Sequence, residues 1–289
     1  MSRFEYHEPT SLAECVALAA RFGDDGRFLA GGTDLLVQLQ RGRVGPRHVI
    51  ALHRVPGLTG IEVNGGIRMG ACVTHRAIER AVAFAGSLQA LTEGARVIGG
   101  QQVRNVATVG GNLVNASPAA DLVPCLLALD ATVVLLSQTG EREMPLEHFL
   151  VGPNETSRRP EELLARISIP AAAPHTATAF LKAGRRKATE ISVVCVAACL
   201  TLDARRERCL HAQVALGAVA PTAVRARAAE RMLEGAPLGL EALERAAALA
   251  GEACAPIDDV RASATFRRHL VRVLVRRALM RCVERARAA

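Results

Sequence analysis

Tryptophan is absent from this 289-residue chain, tyrosine occurs once, and aromatic residues make up only 3% of it. Nucleic-acid surfaces combine basic patches with aromatic platforms or a recognisable binding module, so this scarcity argues against that function despite a net charge of +8. Half of the residues are apolar, yet no uninterrupted apolar run approaches the roughly 20 residues that span a bilayer. The opening MSRFEYHEPTSLAEC is polar and acidic where a signal peptide would carry a basic and then an apolar segment. The expectation is a soluble, cytoplasmic protein. Cysteines stand at 15, 72, 125, 195, 199, 209, 254 and 282 without a CxxC pair, which removes the usual zinc and iron–sulfur spacings and predicts buried thiols. Cys195 and Cys199 share one face of a strand by period two. Repeats and low-complexity segments are lacking, as are a GxxxxGK[ST] phosphate loop and a GxGxxG dinucleotide turn.

What the chain does contain is a pair of Gly-Gly segments. The first lies in FLAGGTDLLVQLQRG, where Gly31 and Gly32 stand between an apolar tetrad and a helical run. Glycines there let another molecule approach the amides of a helix start, whose dipole favours an anion. An ordinary strand-to-helix turn explains the stretch equally simply. The second lies in ATVGGNLVNASPAADL, 79 residues on, where Thr108, Val109, Gly110, Gly111 and Asn112 predict another Gly-Gly turn and Asp121 a helix start. Each feature of the second stretch also has a purely structural reading, Asp121 as a helix N-cap among them. Placed on different units, the two loops could close on one long ligand.

Periodicity divides the chain into three units. Residues 1–55 predict a small α/β unit with a helix over 11–21, strands over 27–30 and 48–52, and a helix over 33–40. Residues 56–175 predict a mixed unit: a hairpin turning at Asn64-Gly65-Gly66, a helix capped near Thr74, a helix over 87–98, a helix from Asp121, and strands in ATVVLLS, TGEREMPLEHFL and ELLARISIP. Residues 176–289 predict three strands, in TAFLKA, ISVVCVAACLTLD and AQVALGAVAP, and helices near 224–233, 240–253 and 263–287. Strands followed by helices make the last unit an α+β layer. Its closing helix carries Arg268, Arg272, Arg276, Arg277, Arg281 and Arg285 at helical spacing, with Leu270, Val273, Leu274 and Met280 expected on the apolar side. The arginines read as a solvated face or as a surface for an acidic protein partner.

Five segments resemble, in order, the FAD-binding medium subunits of molybdenum hydroxylases, the family of xanthine dehydrogenase and carbon monoxide dehydrogenase. They are AGGTDL, ATVGGNLVNASPAADL, FLKAGRRKATEISVV, LGAVAPTAVRA and VRASATFRRHLVRVLVRRAL. The resemblance spans essentially the whole chain. It implies an α+β architecture: a two-subdomain FAD-binding fold of the vanillyl-alcohol-oxidase (PCMH) type plus a C-terminal α+β domain of three strands and helices. It also implies an FAD stretched between the first two units, its pyrophosphate wrapped by Leu29, Ala30, Gly31, Gly32, Thr33, Asp34 and Leu35. Thr108, Val109, Gly110, Gly111 and Asn112 would form the second wall, and Asp121 would accept from a cofactor hydroxyl. Leu164 would pack on the cofactor, its alternative being a plain core leucine, and Lys182 falls within one residue of a flavin-contacting lysine of the family, its alternative being a solvated charge.

Further implications concern the complex. Electrons would leave an organic substrate at a molybdenum cofactor on a large subunit, cross two [2Fe-2S] clusters on a small subunit, reach FAD here and pass to NAD, a quinone or oxygen. No residue of this chain is assigned as a catalytic acid or base. With only Cys125 between Asp121 and Pro170, the extra [4Fe-4S] cluster of one branch is not expected. Two rival functions stand beside this one: a self-sufficient flavin oxidase of the same fold, although His175, His211 and His269 are isolated in the sequence, and a colourless basic binding protein.

Overall fold

The computed structural model describes residues 3–186 and 189–288. It is built from three stacked sheets and a small ribbon, with helices between and outside them. The first sheet takes β1 (Glu5–His7), β2 (Gly26–Leu29) and β3 (His48–Ala51) in the order β1-β3-β2, all parallel, with α1 (Leu12–Phe22) and the short α2 (Leu35–Gln40) as connections. Helix α1 starts where predicted because the Ser11 hydroxyl accepts from the Glu14 amide at 3.1 Å. Strand β1 was not expected: three residues are too few to show a period, and parallel pairing with β3 supplies the missing partners.

The second sheet has the order β4-β5-β10-β6-β7, formed by β4 (Ile61–Val63), β5 (Gly66–Gly70), β6 (Thr132–Ser137), β7 (Gly140–Pro145) and β10 (Leu163–Pro170). The 64–66 hairpin forms as read, with Gly65 at φ +61° and the Asn64 amide donating to the Gly66 carbonyl. Six helices pack on this unit: α3 (His75–Arg80), α4 (Gln89–Arg96), α5 (Gln101–Val106), α6 (Val109–Asn115), α7 (Leu122–Leu127) and α8 (Leu146–Phe149). Thr74 caps α3 through a bond from the Ala77 amide. The piece EMPLEHFL is not one strand, because Pro145 ends β7 and Leu146 begins the single turn of α8. The ribbon pairs β8 (Leu150–Gly152) with β9 (Glu155–Thr156).

The third sheet runs β11 (Thr176–Ala183), β12 (Val194–Leu202), β13 (Cys209–Gly217) and β14 (Val224–Arg225), antiparallel throughout. It has four strands rather than three, since 224–225 pair with β13 and the helix predicted there starts later, as α9 (Arg227–Leu233). Helices α10 (Leu240–Glu252) and α11 (Ala264–Ala288) complete the layer. All nine residues of β12 are buried. Cys195, Ala197 and Cys199 join the core of the middle unit, whereas Val194, Val196, Ala198 and Leu200 join a second core under α9, α10 and α11. The strand is therefore the middle layer of a sandwich. All eight cysteines are free and buried, as expected. Burial pushes the Cys199 thiol up to about 12 and those of Cys125 and Cys195 well above their ordinary value.

Cations of the third layer meet carboxylates of the middle one, including the more exposed pairs of Arg227 with Glu147 and Arg281 with Glu93. Lys182 pairs with Asp121, Arg225 with Asp130 and Arg285 with Glu93. Thr178 also accepts from the Ala90 amide. The buried side of α11 is Val271, Leu274, Val275, Ala278, Leu279, Cys282 and Val283, with Leu270 packed against it; of the expected set Leu274 and Leu270 lie there, whereas Met280 is exposed. Several of its arginines have intrachain partners: Arg276 meets Glu244, Arg285 meets Glu93, and Arg267 is buried. Among the described residues no helix is long and apolar enough to cross a membrane.

Arg267 donates to the carbonyls of Val193 and Ala218 and to Asp259. Desolvation works to raise the Asp259 carboxyl, but bonds from the Arg261 amide, the Arg267 and Arg261 guanidinium groups and the Ala262 amide outweigh it and hold it at about 2. This folded value lies below that of an unfolded aspartate, about 3.9. The stabilisation is therefore full above about pH 4 and disappears as pH falls through about 2. Urea titrations of wild type and Asp259→Asn are expected to differ by a constant margin above about pH 4, and the margin is expected to shrink below it.

Candidate functional site

Strand β2 ends at Leu29, whose carbonyl accepts from the Leu52 amide, and the chain then turns at Gly31 and Gly32. A Cβ on Gly31 would overlap the backbone of Val106 and Ala107, so only glycine lets the two segments touch. Gly32 adopts φ +72°, a conformation that L side chains rarely take, and a Cβ there would press on Leu36 Cδ1 at 2.9 Å. Helix α2 opens at Leu35, two residues later than predicted, and Asp34 makes no capping bond. Among the described residues, no acceptor is found for the amides of Gly31, Gly32, Thr33, Asp34 and Leu35. Buried or half-buried backbone donors are normally paired. Five in succession make a cradle for an acceptor-rich group such as a pyrophosphate.

The second Gly-Gly segment differs from its expectation. Gly110 and Gly111 are not a turn but the first turn of α6, because Thr108 caps the helix by accepting from the Gly111 amide at 3.1 Å. The Val109, Gly110 and Asn112 amides are also paired, with the carbonyls of Val73, Ala71 and Thr108. This segment offers no row of free amides. Gly110 is required for packing, since a Cβ would lie 2.6 Å from that of Ala71, whereas a Cβ on Gly111 meets only the Thr108 hydroxyl, at 3.0 Å. Val109 is fully buried in the middle core. The buried Asn112 Oδ1 has no hydrogen-bond partner among the described residues, a cost that a bound donor would remove.

The two segments are neighbours. Gly31 lies against Val106 just ahead of Thr108, and Gln38 Nε2 of α2 donates to Asn115 Oδ1 of α6 at 3.2 Å. Around them Leu36, Val37, Val103 and Val106 are exposed apolar side chains.

Asp121 and Lys182 form a second group. Lys182 Nζ, one-tenth exposed, donates to Asp121 Oδ2 at 2.6 Å and to the Glu190 carbonyl at 2.7 Å, so it is not the solvated charge that was its alternative reading. Ser192 donates to Asp121 Oδ1 in a very short bond. Burial pushes the Asp121 carboxyl up, and Lys182 and Ser192 oppose that shift. Asp121 makes no capping bond at the start of α7. Both of its oxygens have a donor, so a cofactor hydroxyl would have to use the remaining lone pairs. Leu164 lies in β10 inside the middle core, opposite Leu135 of β6. Ala30 is half-buried against the core beneath α1.

Sequence reasoning missed Ser192, Gln38, Asn115 and the Val106 carbonyl. Ser192 stands inside the ATEISVV stretch, where its hydroxyl between Ile191 and Val193 was the only signal. The others act through side-chain amides or backbone that no local pattern distinguishes.

A parallel sheet feeding a glycine loop, abutted by a capped helix with an unsatisfied amide oxygen, is an arrangement that suits an extended anionic cofactor. Comparison makes this specific. Residues 2–172 match the family model described as the FAD binding domain in molybdopterin dehydrogenase, and residues 179–282 match the CO dehydrogenase flavoprotein C-terminal domain. The carbon monoxide dehydrogenase medium chain of Hydrogenophaga pseudoflava is 32% identical over 278 residues, covering 96% of each chain. The putative xanthine dehydrogenase FAD-binding subunit of Escherichia coli (strain K12) is 33% identical over 284 residues, covering 97% of this chain and 96% of that one. A solved structure of carbon monoxide dehydrogenase from Hydrogenophaga pseudoflava, lacking the Mo-pyranopterin moiety of its cofactor, superposes with a TM-score of 0.93 at 33% identity over 98% of both chains. The chain belongs to the FAD-binding flavoprotein subunits of the molybdenum hydroxylase family. It is a flavoprotein oxidoreductase subunit with the PCMH-type fold and the C-terminal flavoprotein domain.

Gly111 gives a test of the second wall, because a Cβ there meets only one protein group, the Thr108 hydroxyl at 3.0 Å. Gly111→Val is expected to keep thermal stability within about 1 kcal/mol, as replacing a helical glycine seldom costs more. FAD affinity, followed by flavin fluorescence, is expected to fall at least about tenfold, a 1.4 kcal/mol loss. Unchanged affinity would remove α6 from the binding surface.

Proposed function

We propose that FAD lies across the Gly31–Val106 contact, with its pyrophosphate on the amides of 31–35, and that the chain relays electrons between partner subunits. The five consecutive unpaired amides carry this reading. The Thr33 hydroxyl adds a donor beside them, and Asn112 Oδ1 accepts a donor of the bound dinucleotide. The FAD, when bound, supplies the redox chemistry, taking up and releasing electrons. The protein's residues bind and orient it. Lys182, Asp121 and Ser192 hold the third layer against α7, and Asp121 keeps lone pairs for a cofactor hydroxyl. Leu29, Ala30 and Leu35 contribute apolar surface at the end of the first sheet, and Leu164 supports the site from within the core of the second. The three units 1–55, 56–175 and 176–289 are the working division of labour, the first two binding and the third covering.

In this reading electrons arrive from [2Fe-2S] clusters on a small partner subunit, after oxidation of an organic substrate at a molybdenum cofactor on a large one. They leave to an acceptor such as NAD, a quinone or oxygen. The family membership supports a multi-subunit complex of this kind. Exposed Arg268 and Arg277 on α11 remain for an acidic partner, since Arg276 already faces Glu244. The cytoplasm is the proposed compartment. A free-standing oxidase would need its own substrate base, and the test below separates it from the relay.

Chain purified after folding with FAD supplied is expected to be yellow, to release FAD on acid treatment at close to one per chain, and to leave that flavin oxidised when organic substrates are added without partners. Release of FMN, or of no flavin, contradicts the cofactor reading; bleaching by substrate alone contradicts the relay.

A further inference from the structure

We propose that Glu5, His7 and His48 bind one divalent transition-metal ion of the zinc type, at the end of the first sheet away from the glycine cradle. The parallel register of β1 and β3 sets Glu5 opposite His48, and Glu5 and His7, two apart, share a strand face. His7 Nε2 lies 3.2 Å from His48 Nδ1, which lies 3.3 Å from Glu5 Oε2, and the third edge is 3.9 Å. Tetrahedral zinc with bonds of about 2.0–2.1 Å spaces its ligands about 3.3 Å apart. Two of the three edges already match, and the third closes by rotation of the exposed Glu5 side chain.

The imidazoles are held in place by packing. Phe22 stacks on His48 at 3.7 Å with the rings 8° from parallel, and His7 leans on Phe22 at 4.8 Å. Among the described residues this is the one cluster of three potential ligands within reach of a single ion. Two imidazoles and one carboxylate suit zinc, nickel or copper better than magnesium or calcium. Half-burial of the histidines beside an exposed glutamate leaves one side open, where water completes the shell.

The position separates this site from the flavin. His48 is paired with Gly26, the first residue of β2, while the cradle follows Leu29 at the other end of that strand. Three residues of strand put about 10 Å between them before the loop begins. The ion would clamp the three-residue β1 to β3, and the inference does not depend on the electron-relay reading. A hydrogen bond between the two imidazoles, sharing one proton, is the alternative that the same geometry allows.

The test is isothermal titration of the flavin-loaded chain, stripped with chelator, with Zn2+, followed by elemental analysis after desalting. Wild type is expected to hold one zinc per chain. His48→Phe keeps a ring on Phe22 without the ligand nitrogen, and His7→Gln removes the other. Each is expected to weaken zinc binding at least about tenfold with FAD content unchanged. Co2+ provides a second readout, giving the visible bands of a tetrahedral ion in wild type and not in His48→Phe. Absence of zinc binding by wild type, or wild-type affinity retained in either variant, would overturn the proposal.

Discussion

Two backbones touch at Gly31 with no side chain between them. Any Cβ there would collide with the Val106 carbonyl, so the first sheet and the middle unit meet at this distance only because the residue is glycine. The contact sets much else. It lays the loop after β2 along the segment that leads into α6, where Gln38 and Asn115 complete the junction. It also leaves the amides of 31–35 turned away from every acceptor the described residues provide. The proposed site for an anionic cofactor thus rests on a packing constraint more than on the helix that follows, which has only six residues.

The basic character of the chain serves a different end. Its charges look like a surface in the sequence, yet Lys182, Arg225 and Arg285 each reach from the third layer to a carboxylate of the middle one. Arg225 also donates to Glu230 and to the Leu127 carbonyl. Buried or half-buried pairs of this kind add little net stability against apolar replacements, but leaving one partner alone is costly, so they act chiefly on register. With β12 buried on both faces, the third layer has one seat on the middle unit.

Much of this was legible in the residues. Ser11 and Thr74 caps, the Asn64-Gly65-Gly66 turn and the alternating β12 carry strong local signals, and the helices of the third unit are long enough for a period to show. Other features depend on distant partners. Strand β1 exists because β3 accepts it, and β14 forms where a helical pattern was read because β13 offers an edge. The error at Gly110 and Gly111 has a physical cause: glycine is a poor helix former, but here Thr108 supplies the cap and Ala71 leaves no room for a Cβ. The first Gly-Gly pair was ambiguous between a turn and an anion site; it does turn, and its unpaired amides are what the proposed anion site rests on. Its free amides become evident only when every neighbouring acceptor is known.

The central claim is that these amides hold the pyrophosphate of FAD. Amide chemical shifts of the 15N-labelled, deflavinated chain test it directly, with ADP and riboflavin added separately. ADP carries the pyrophosphate and riboflavin lacks any phosphate. The account predicts that ADP moves the amide signals of Gly31, Gly32 and Thr33 to lower field and that riboflavin leaves them in place. Signals from 31–35 that stay unmoved while ADP binds and shifts amides elsewhere would contradict it.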